Sequence, residues 1–443
     1  MKNKNDMKRL FSLILVLSAL TAQAQQTWTL DACIAYAIEH NIDMKKSELA
    51  TRQAEYQYKA SRYAWLPKLS ANAGEYLGFG QSPSYTGVYI ADNSSSTSFG
   101  ANLSLPLFQG LELYHNAKAD ALNLQASEMD REAAKLNLEL NVMAFYMQAL
   151  YSKERLEMAK EQVKLATEQW EKTQQLFANG RVPESDVYES KAQLASDKAN
   201  LTQAQTDCEL SLLNLTQLLE LEDMNKFDVV APDAFFEGLD IGPSSPQAVI
   251  EQALLHQPAM EAARLRLQKM HYDLKATKAA WYPNLGFYAG YSNGHYRYFS
   301  EAYPNTAFSE QLKRNGRTQV GVSLNIPIFN GMQTKYRVRI SELAIADRQL
   351  ELENTEKNLR KEIRQAYCNA QAARQKMEAM SNSLEASLLA YEYAKAGFET
   401  GKKTLLEVNE SKTRYQKAES DLLQARYEYL YRCKIIGFYR DRD

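Results

Sequence analysis

Glycine and proline are scarce: 18 Gly and 11 Pro make up roughly 7% of 443 residues, against about 12% in average usage. A chain of this length ordinarily folds as two or three domains joined by many turns. With so few chain-breakers, collagen-like, low-complexity and many-stranded all-β folds are disfavoured and long helices favoured. Long apolar runs are missing too. Mean hydropathy is −0.49, and beyond residue 24 no segment supplies 20 or so consecutive apolar residues, which excludes a polytopic α-helical membrane protein. Neither charge sign dominates, with 52 Lys and Arg against 54 Asp and Glu, so there is no basic footprint for nucleic acid. Cysteine is sparse as well. Cys33, Cys208, Cys368 and Cys433 stand far apart in helical-looking stretches, which reads as buried small hydrophobes rather than a disulfide framework.

The one apolar run lies at the start. Lys8 and Arg9 precede Leu10 to Leu20, and Ala22-Gln23-Ala24 offers small residues at the positions a signal peptidase reads. This predicts a secretory signal peptide over residues 1–24, cleaved before Gln25. The run is too short for a spanning anchor. Cys33 lies past the cleavage point, so the exported chain is expected to carry no lipid anchor.

A longer periodicity organises the rest. Ala32, Ile34, Ala37, Ile38, His40 and Asn41 have counterparts in Ala248, Ile250, Ala253, Leu254, His256 and Gln257, all 216 residues on. Trp65-Leu66-Pro67-Lys68-Leu69 meets Trp281-Tyr282-Pro283-Asn284-Leu285 at the same shift. Leu105-Pro106-Leu107-Phe108-Gln109-Gly110 meets Ile326-Pro327-Ile328-Phe329-Asn330-Gly331 at 221, as do Phe177, Gly180 and Val187 with Phe398, Gly401 and Val408. One insertion of five residues explains the change of shift. The chain is one unit written twice.

Each repeat reads helix, hairpin, very long helix, turn, return helix. Repeat 1 covers 25–222, with a helix from Leu30 to Tyr63, a hairpin over about 68–106, a long helix over 110–178 and a return helix over 184–222. Repeat 2 covers 246–443, with a helix from Pro246 to Ala280, a hairpin over about 284–327, a long helix over 331–399 and a return helix over 404–438. An irregular connector, 223–245, holds one short strand near Phe227 to Val230. Pro67 and Pro283 stop the first helices, because proline lacks the N–H and clashes with the preceding turn. The long helices hold almost no breaker, Gly397 alone, and at 1.5 Å per residue each is about 100 Å long. No ordinary globular core needs that length. Leu352, Leu359, Ile363, Ala366, Ala370, Ala373 and Met377, with Tyr415, Ala418, Leu422, Ala425 and Tyr429 on the return helix, step by sevens, fours and threes. That is a coiled-coil seam whose alanines permit close approach.

The hairpins alternate with period two. Phe99, Ala101, Leu103 and Leu105 oppose Ser98, Gly100, Asn102 and Ser104; Val320, Val322, Leu324 and Ile326 oppose Gln319, Gly321, Ser323 and Asn325; Leu285, Phe287, Ala289 and Tyr291 oppose Asn284, Gly286 and Gly290. Segments of about ten residues, apolar on one face and small-polar on the other, suit tilted strands of an outer-membrane barrel with a wet lumen. A half-buried hairpin on a soluble domain is the alternative, but no other segment is available to cover four apolar strand faces. The intervening loops, Gln81 to Ser95 and Asn293 to Arg317, are polar and Tyr-bearing, as external loops are. Four strands cannot enclose a lumen, and in lipid every edge must be paired, so a ring of copies is implied, eight strands as a dimer or twelve as a trimer.

These residues resemble the TolC-like outer membrane efflux protein family. The Leu105-Pro106-Leu107-Phe108 and Ile326-Pro327-Ile328-Phe329 segments, each followed by glycine, look like its strand-to-helix signature. Phe177, Gly180 and Ser185-Asp186-Val187 look like its first helical tip, and Phe398, Gly401 and Thr404-Leu405-Leu406-Glu407-Val408 like its second. The resemblance implies a coiled-coil helical barrel plus transmembrane β-hairpins: a homotrimer with a 12-stranded outer membrane β-barrel continued by a 12-helix periplasmic α-barrel. It implies an exit duct served by a periplasmic adaptor and an inner-membrane pump of RND, ABC or MFS type. The adaptor-docking positions it matches are Gly180, Arg181, Ser185 and Asp186 in the first tip, with Gly401, Lys402, Thr404 and Leu405 in the second. Pro183 departs from the usual residue at the first tip, and Lys403 adds charge at the second. Independently, Gly180 and Gly401 suit a C′ residue at positive φ, and Ser185 or Thr404 suits a cap on the returning helix.

Members of the family constrict the periplasmic end with acidic rings. Glu385, Glu392 and Glu399 recur every seven residues toward the second tip and so share one helix face. Three-fold repetition would stack them into cation-favouring rings, whereas a solvated outer face is the plainer alternative. No catalytic constellation, cofactor motif or metal site stands out. His40, His115, His256, His271 and His295 are scattered, and neither a phosphate-binding loop nor a nucleophile elbow is present. The expected protein is a passive duct. Its rival is a periplasmic coiled-coil adaptor or scaffold, which would carry a single helical hairpin inserted into β-rich domains.

Overall fold

Two helices of 67 residues run through the chain. The computed structural model describes residues 26–83, 88–91, 93–222, 227–230, 245–299 and 304–440. The expected signal peptide and most of the expected connector lie outside these. In order come β1 (Gln26–Trp28), α1 (Leu30–His40), α2 (Ile42–Arg62), β2 (Lys68–Gly78), β3 (Gln81–Pro83), β4 (Tyr89–Ala91) and β5 (Ser94–Gln109). The first long helix, α3 (Glu112–Ala178), returns as α4 (Glu184–Leu218), followed by β6 (Phe227–Val229). The second half has α5 (Pro246–His256), α6 (Pro258–Ala279), β7 (Asn284–Tyr298), α7 (Phe308–Asn315), β8 (Arg317–Asn325), α8 (Gln333–Glu399) and α9 (Leu405–Arg440).

The single helices expected from Leu30 to Tyr63 and from Pro246 to Ala280 are each two. Asn41 is extended at ψ 136°, and its side-chain oxygen accepts from the N–H groups of Asp43 at 2.9 Å and Met44 at 3.4 Å, capping α2. Its amide meanwhile donates to the Leu218 carbonyl at 3.0 Å. In the second repeat Gln257 takes that place at ψ 124°, because Pro258 disfavours helical conformation in the residue before it. Thr29 and Ser245 cap α1 and α5 equivalently, each oxygen 3.3 Å from the N–H three residues on. The first return helix ends at Leu218 rather than at 222, and the second runs to Arg440 rather than 438.

The chain divides into two compact units, and neither is a repeat: each takes pieces of both. One comprises residues 1–49, 130–260 and 355–443. Its core gathers Cys33, Ala37, Val142, Tyr146, Leu215, Val229 and Leu430. There β1 and β6 pair in parallel, an element the sequence reading did not supply for residues 26–28. The Tyr146 hydroxyl sits 2.9 Å from the Trp28 carbonyl and 2.7 Å from that of Val230, closing the end of the ladder. Lys153 ties Asp228 at 2.6 Å and the Val229 carbonyl at 3.0 Å. Burial pushes the Cys33 thiol up to about 12, leaving it unreactive. Cys208 is also buried, but Cys368 is exposed and Cys433 half-buried, so the buried-hydrophobe reading holds for two of four. On α8 Leu359, Ile363, Ala366, Ala370 and Ala373 are buried, as are Ala418, Leu422, Ala425 and Tyr429 on α9.

The other unit, residues 50–129 and 261–354, carries a four-stranded sheet in the order β2-β5-β7-β8, all antiparallel. Its register puts Leu69, Leu103, Ala289 and Val320 in one row, with Ser70, Asn102, Gly290 and Gln319 in the next. Adjacent rows face opposite ways, so one face is apolar and one small-polar. Proline has no N–H for the ladder, and the register slips between Pro106 and Phe108, a bulge that returns Phe108 to the apolar face. The expected loops hold more structure than composition suggested. β3 and β4 pair within the first, while β7 reaches Tyr298 and α7 occupies part of the second.

Where β7 outruns β8, amide side chains take the place of a neighbouring strand. Gln311 donates to the Tyr296 carbonyl at 2.8 Å and accepts from its N–H at 2.9 Å. Asn305 does the same to Tyr298, both at 2.8 Å, and Asn315 donates to the Gly294 carbonyl at 2.7 Å. The edge that would otherwise recruit another strand is covered there.

Candidate functional site

Both long helices end in the same six-residue device. At the first tip the Gly180 N–H donates to the Phe177 carbonyl at 2.8 Å and the Arg181 N–H to that of Leu176 at 2.9 Å. At the second, Gly401 donates to Phe398 at 3.0 Å and Lys402 to Gly397 at 2.8 Å. These are paired Schellman bonds around a left-handed residue, with φ +69° at Gly180 and +71° at Gly401.

The returning helices start differently. Thr404 and Glu407 form a reciprocal capping box: the Glu407 N–H donates to the Thr404 hydroxyl oxygen at 3.3 Å, and the Thr404 N–H to the Glu407 carboxylate at 2.8 Å. That backbone bond, then the Thr404 hydroxyl, with Lys403 adding attraction, holds the Glu407 carboxyl below its usual range. At the first tip Pro183 occupies the cap position without a side-chain bond. Ser185 lies inside the helix and donates to Asp186 at 3.3 Å, so it is not a cap. Gly180, Arg181, Ser185, Gly401, Lys402 and Thr404 are exposed and Asp186 is half-buried. Leu405 is only 2% exposed, so it anchors the tip rather than offering a docking surface. Its neighbour Leu406, 56% exposed, is the available leucine.

Polar contacts join the elements just above the tips. Lys172 on α3 meets Glu399 on α8 at 3.4 Å, Asn409 on α9 donates to Glu189 on α4 at 3.2 Å, and Lys412 lies 3.5 Å from Asp197. Between α4 and α9 an open groove of about 530 Å³ is lined by Glu189, Gln193, Leu406, Glu410 and Arg414. Glu385, Glu392 and Glu399 are all exposed on α8; Glu399 has Lys172 beside it. Tyr391 and Tyr415 stack at 5.9 Å between α8 and α9, and burial raises the nearby Glu419 carboxyl against the opposing pull of its Tyr415 hydrogen bond.

In the sheet unit the apolar face is bare. Leu69, Val320, Val322 and Leu324 are 75, 65, 60 and 61% exposed, far more contiguous apolar surface than a water-facing sheet keeps. No helix among the described residues is long and apolar enough to cross a membrane. The strand-to-helix joints carry two left-handed residues in succession, Gly110 and Leu111 in one repeat, Gly331 and Met332 in the other.

The profile described as Outer membrane efflux protein matches residues 33–220 and 249–432. The chain is 24% identical over 429 residues to outer membrane protein TolC of Vibrio cholerae, covering 96% of this chain and 93% of that one. It is 24% identical over 404 residues to the alkaline protease secretion protein AprF of Pseudomonas aeruginosa, covering 89% and 80%. The crystal structure of the Campylobacter jejuni CmeC outer membrane channel superposes with a TM-score of 0.75 at 21% identity, covering 93% of this chain and 85% of that one. A helical barrel with a β-stranded part is the fold these proteins share with it. The chain belongs to the outer membrane efflux protein family, the outer membrane channels of tripartite efflux and secretion systems.

Proposed function

We propose that three copies of the chain close one duct, with twelve strands through the outer membrane and a periplasmic helical tunnel, fed by a periplasmic adaptor and an inner-membrane pump. The observation that carries this reading is the sheet order. The exit strand of repeat 1, β5, pairs with the entry strand of repeat 2, β7. The same step applied again pairs β8, the exit strand of repeat 2, with β2 of a second copy, and β2 and β8 are the two open edges of the sheet. In lipid those edges must be paired.

The strand-to-helix joints support the same ring. A Cβ at Gly110 would lie 2.6 Å from the Ala279 carbonyl and 2.9 Å from Tyr282 Cβ, so α6 packs directly on that joint. Gly331, its repeat equivalent, has nothing within 4 Å among the described residues. At the repeat shift the missing cover corresponds to Tyr63 and Leu66, which are 58 and 57% exposed. A neighbouring copy supplies them. Twelve strands also leave a lumen wide enough for an aqueous path, and the small-polar sheet face lines it.

The tips are the docking sites for the adaptor, through Gly180, Arg181, Ser185, Asp186, Gly401, Lys402 and Thr404, with Leu406 in place of Leu405. Glu385, Glu392 and Glu399 are the candidate gate. The duct performs no covalent chemistry; the pump supplies the energy. Homologues named for protease secretion and for pyoverdine export leave the cargo of this chain open among proteins and small molecules. The test is fractionation of the full chain. A duct stays with outer membranes, needs detergent for release, runs as a trimer and opens conductance in planar bilayers. Release as a soluble species without detergent would overturn the reading in favour of a periplasmic scaffold.

A further inference from the structure

The apolar face of the sheet changes character along the strands. It is hydrocarbon-like through the row of Leu69, Leu103, Ala289 and Val320, and turns polar at the row of Glu75, Thr97 and His295. There the Glu75 carboxylate accepts from the hydroxyls of Ser95 and Thr97. Arg297, two residues past His295 on the same face, is exposed.

Helix α7 sits on this same face. Its Phe308 ring meets the His295 ring edge-on at 5.0 Å, and its Leu312 carbonyl accepts from Asn293 at 2.8 Å. Phe308, Gln311, Leu312 and Asn315 therefore form the stripe that turns to β7, and Glu310, Lys313 and Arg314 turn away from it. Glu310 and Arg314 pair across one turn. Among the described residues neither Lys313 nor Arg297 forms an ion pair. The amide contacts of Gln311, Asn305 and Asn315 with β7 hold the helix and its loop in register.

We propose that Arg297, Lys313 and Arg314 form a binding surface for lipid-borne phosphate, the phosphorylated sugar headgroup of an outer-leaflet glycolipid. The inference rests on the barrel reading above. The surface continues the lipid-facing band at the level where its hydrocarbon character ends, which is where headgroups lie. Guanidinium groups match phosphate oxygens in a two-pronged geometry that an ammonium cannot supply, and Lys313 adds a point charge. The Glu310–Arg314 pair is well exposed, with side chains 48 and 71% accessible, so it competes weakly with an incoming phosphate. Phe308, 53% exposed despite its contact with His295, is placed for the acyl boundary, where aromatic side chains are favoured. A soluble polyanion would have no use for the apolar band beside these cations; a lipid uses both.

The full chain in phosphatidylcholine nanodiscs tests this, with lipid A bearing two phosphates, its dephosphorylated form and inorganic phosphate as probes. Native chain binds the phosphorylated lipid, and the R297Q/K313Q/R314Q variant binds it about a hundredfold more weakly, each basic residue near an anionic surface contributing about fivefold. The dephosphorylated form binds both proteins equally weakly, and inorganic phosphate at matched concentration does not displace the lipid. Lys313→Glu, which removes no ion pair or side-chain hydrogen bond among the described residues, gives a smaller loss in a chain that remains trimeric and conducting. Equal lipid A binding by native and triple variant, or displacement by inorganic phosphate, overturns the proposal alone. A chain that fails to insert into lipid at all overturns the barrel reading and this proposal with it.

Discussion

Lys412 on α9 reaches within 3.5 Å of Asp197 on α4, and the two side chains are only 11 and 2% exposed, so an ion pair between the return helices is withdrawn from water. Gln193 satisfies the other carboxylate oxygen at 2.9 Å. Taking two charges out of water costs much of what their attraction returns, but removing one partner leaves the other stranded. Lys412→Met is expected to cost about 3 kcal/mol in denaturant unfolding, and the double variant with Asp197→Leu to recover most of it. A double-mutant cycle measures the difference; additive losses would show that the pair does not couple the helices.

The two tips differ in how their returning helices begin, and this predicts different sensitivities. Thr404→Ala removes the hydroxyl that accepts from the Glu407 N–H and leaves the backbone half of the box in place; it should cost about 1 kcal/mol at the helix end, seen as reduced amide protection at residues 405–408. Ser185→Ala caps nothing and should leave the first tip unchanged. Acid weakens the other half of the box, the bond from the Thr404 N–H to the Glu407 carboxylate. Glu407 has a depressed folded pKa, so its contribution is present above its unfolded value and lost as pH falls through the folded one. The protection factor at the second tip, exchange corrected for its intrinsic pH dependence, should therefore fall in acid while that at the first stays flat; parallel curves would sink this account.

Much of this architecture was legible because long-range duplication and short-range period agreed. Pro67, Pro283, Gly110, Gly331, Gly180 and Gly401 punctuate the chain, and a helix without breakers has few other options over 67 residues. What was missed turned on local chemistry that composition hides. Asn41 ends one helix and caps the next through its own side chain, and Pro258, visible in the sequence, should have signalled the matching break. The strand at Gln26–Trp28 exists only because β6 lies beside it, a tertiary cause with no local signature. Helix α7 is eight residues long and fixed by amide bonds to β7, so a polar loop was the natural expectation. At the second tip, consecutive leucines gave no hint of which turns inward; the buried one is Leu405.

The repeat-equivalent glycines at the joints separate packing within a chain from packing between chains. Gly110→Ala puts a methyl group against the Ala279 carbonyl at φ +60°, and the chain should fold poorly or accumulate weakly. Gly331→Ala meets nothing among the described residues of its own chain, so the monomer should lose only the left-handed penalty of about 1–2 kcal/mol. If Tyr63 and Leu66 of a second copy cover that joint, the trimer should lose considerably more, measured as heat dissociation in detergent. A Gly331→Ala trimer as stable as native would place the interface elsewhere.

Glu385, Glu392 and Glu399 are exposed and stacked one heptad apart, about 10 Å per step along α8. Exposure in a single chain fits a tunnel lining and a solvated outer face equally, but the two differ under voltage. Lumen carboxylates repeated by three-fold symmetry concentrate cations in a narrow, low-dielectric passage; outer-face carboxylates are screened within about 10 Å at ordinary salt. Glu385→Gln and Glu392→Gln should each lower the potassium-over-chloride permeability ratio severalfold in planar bilayers at low salt. Glu399→Gln should shift it further, because it also releases Lys172, now 3.4 Å away, as an uncompensated cation. Lys172→Gln should then act in the opposite direction. Ratios unchanged in all four variants would put this helix face outside the conducting path.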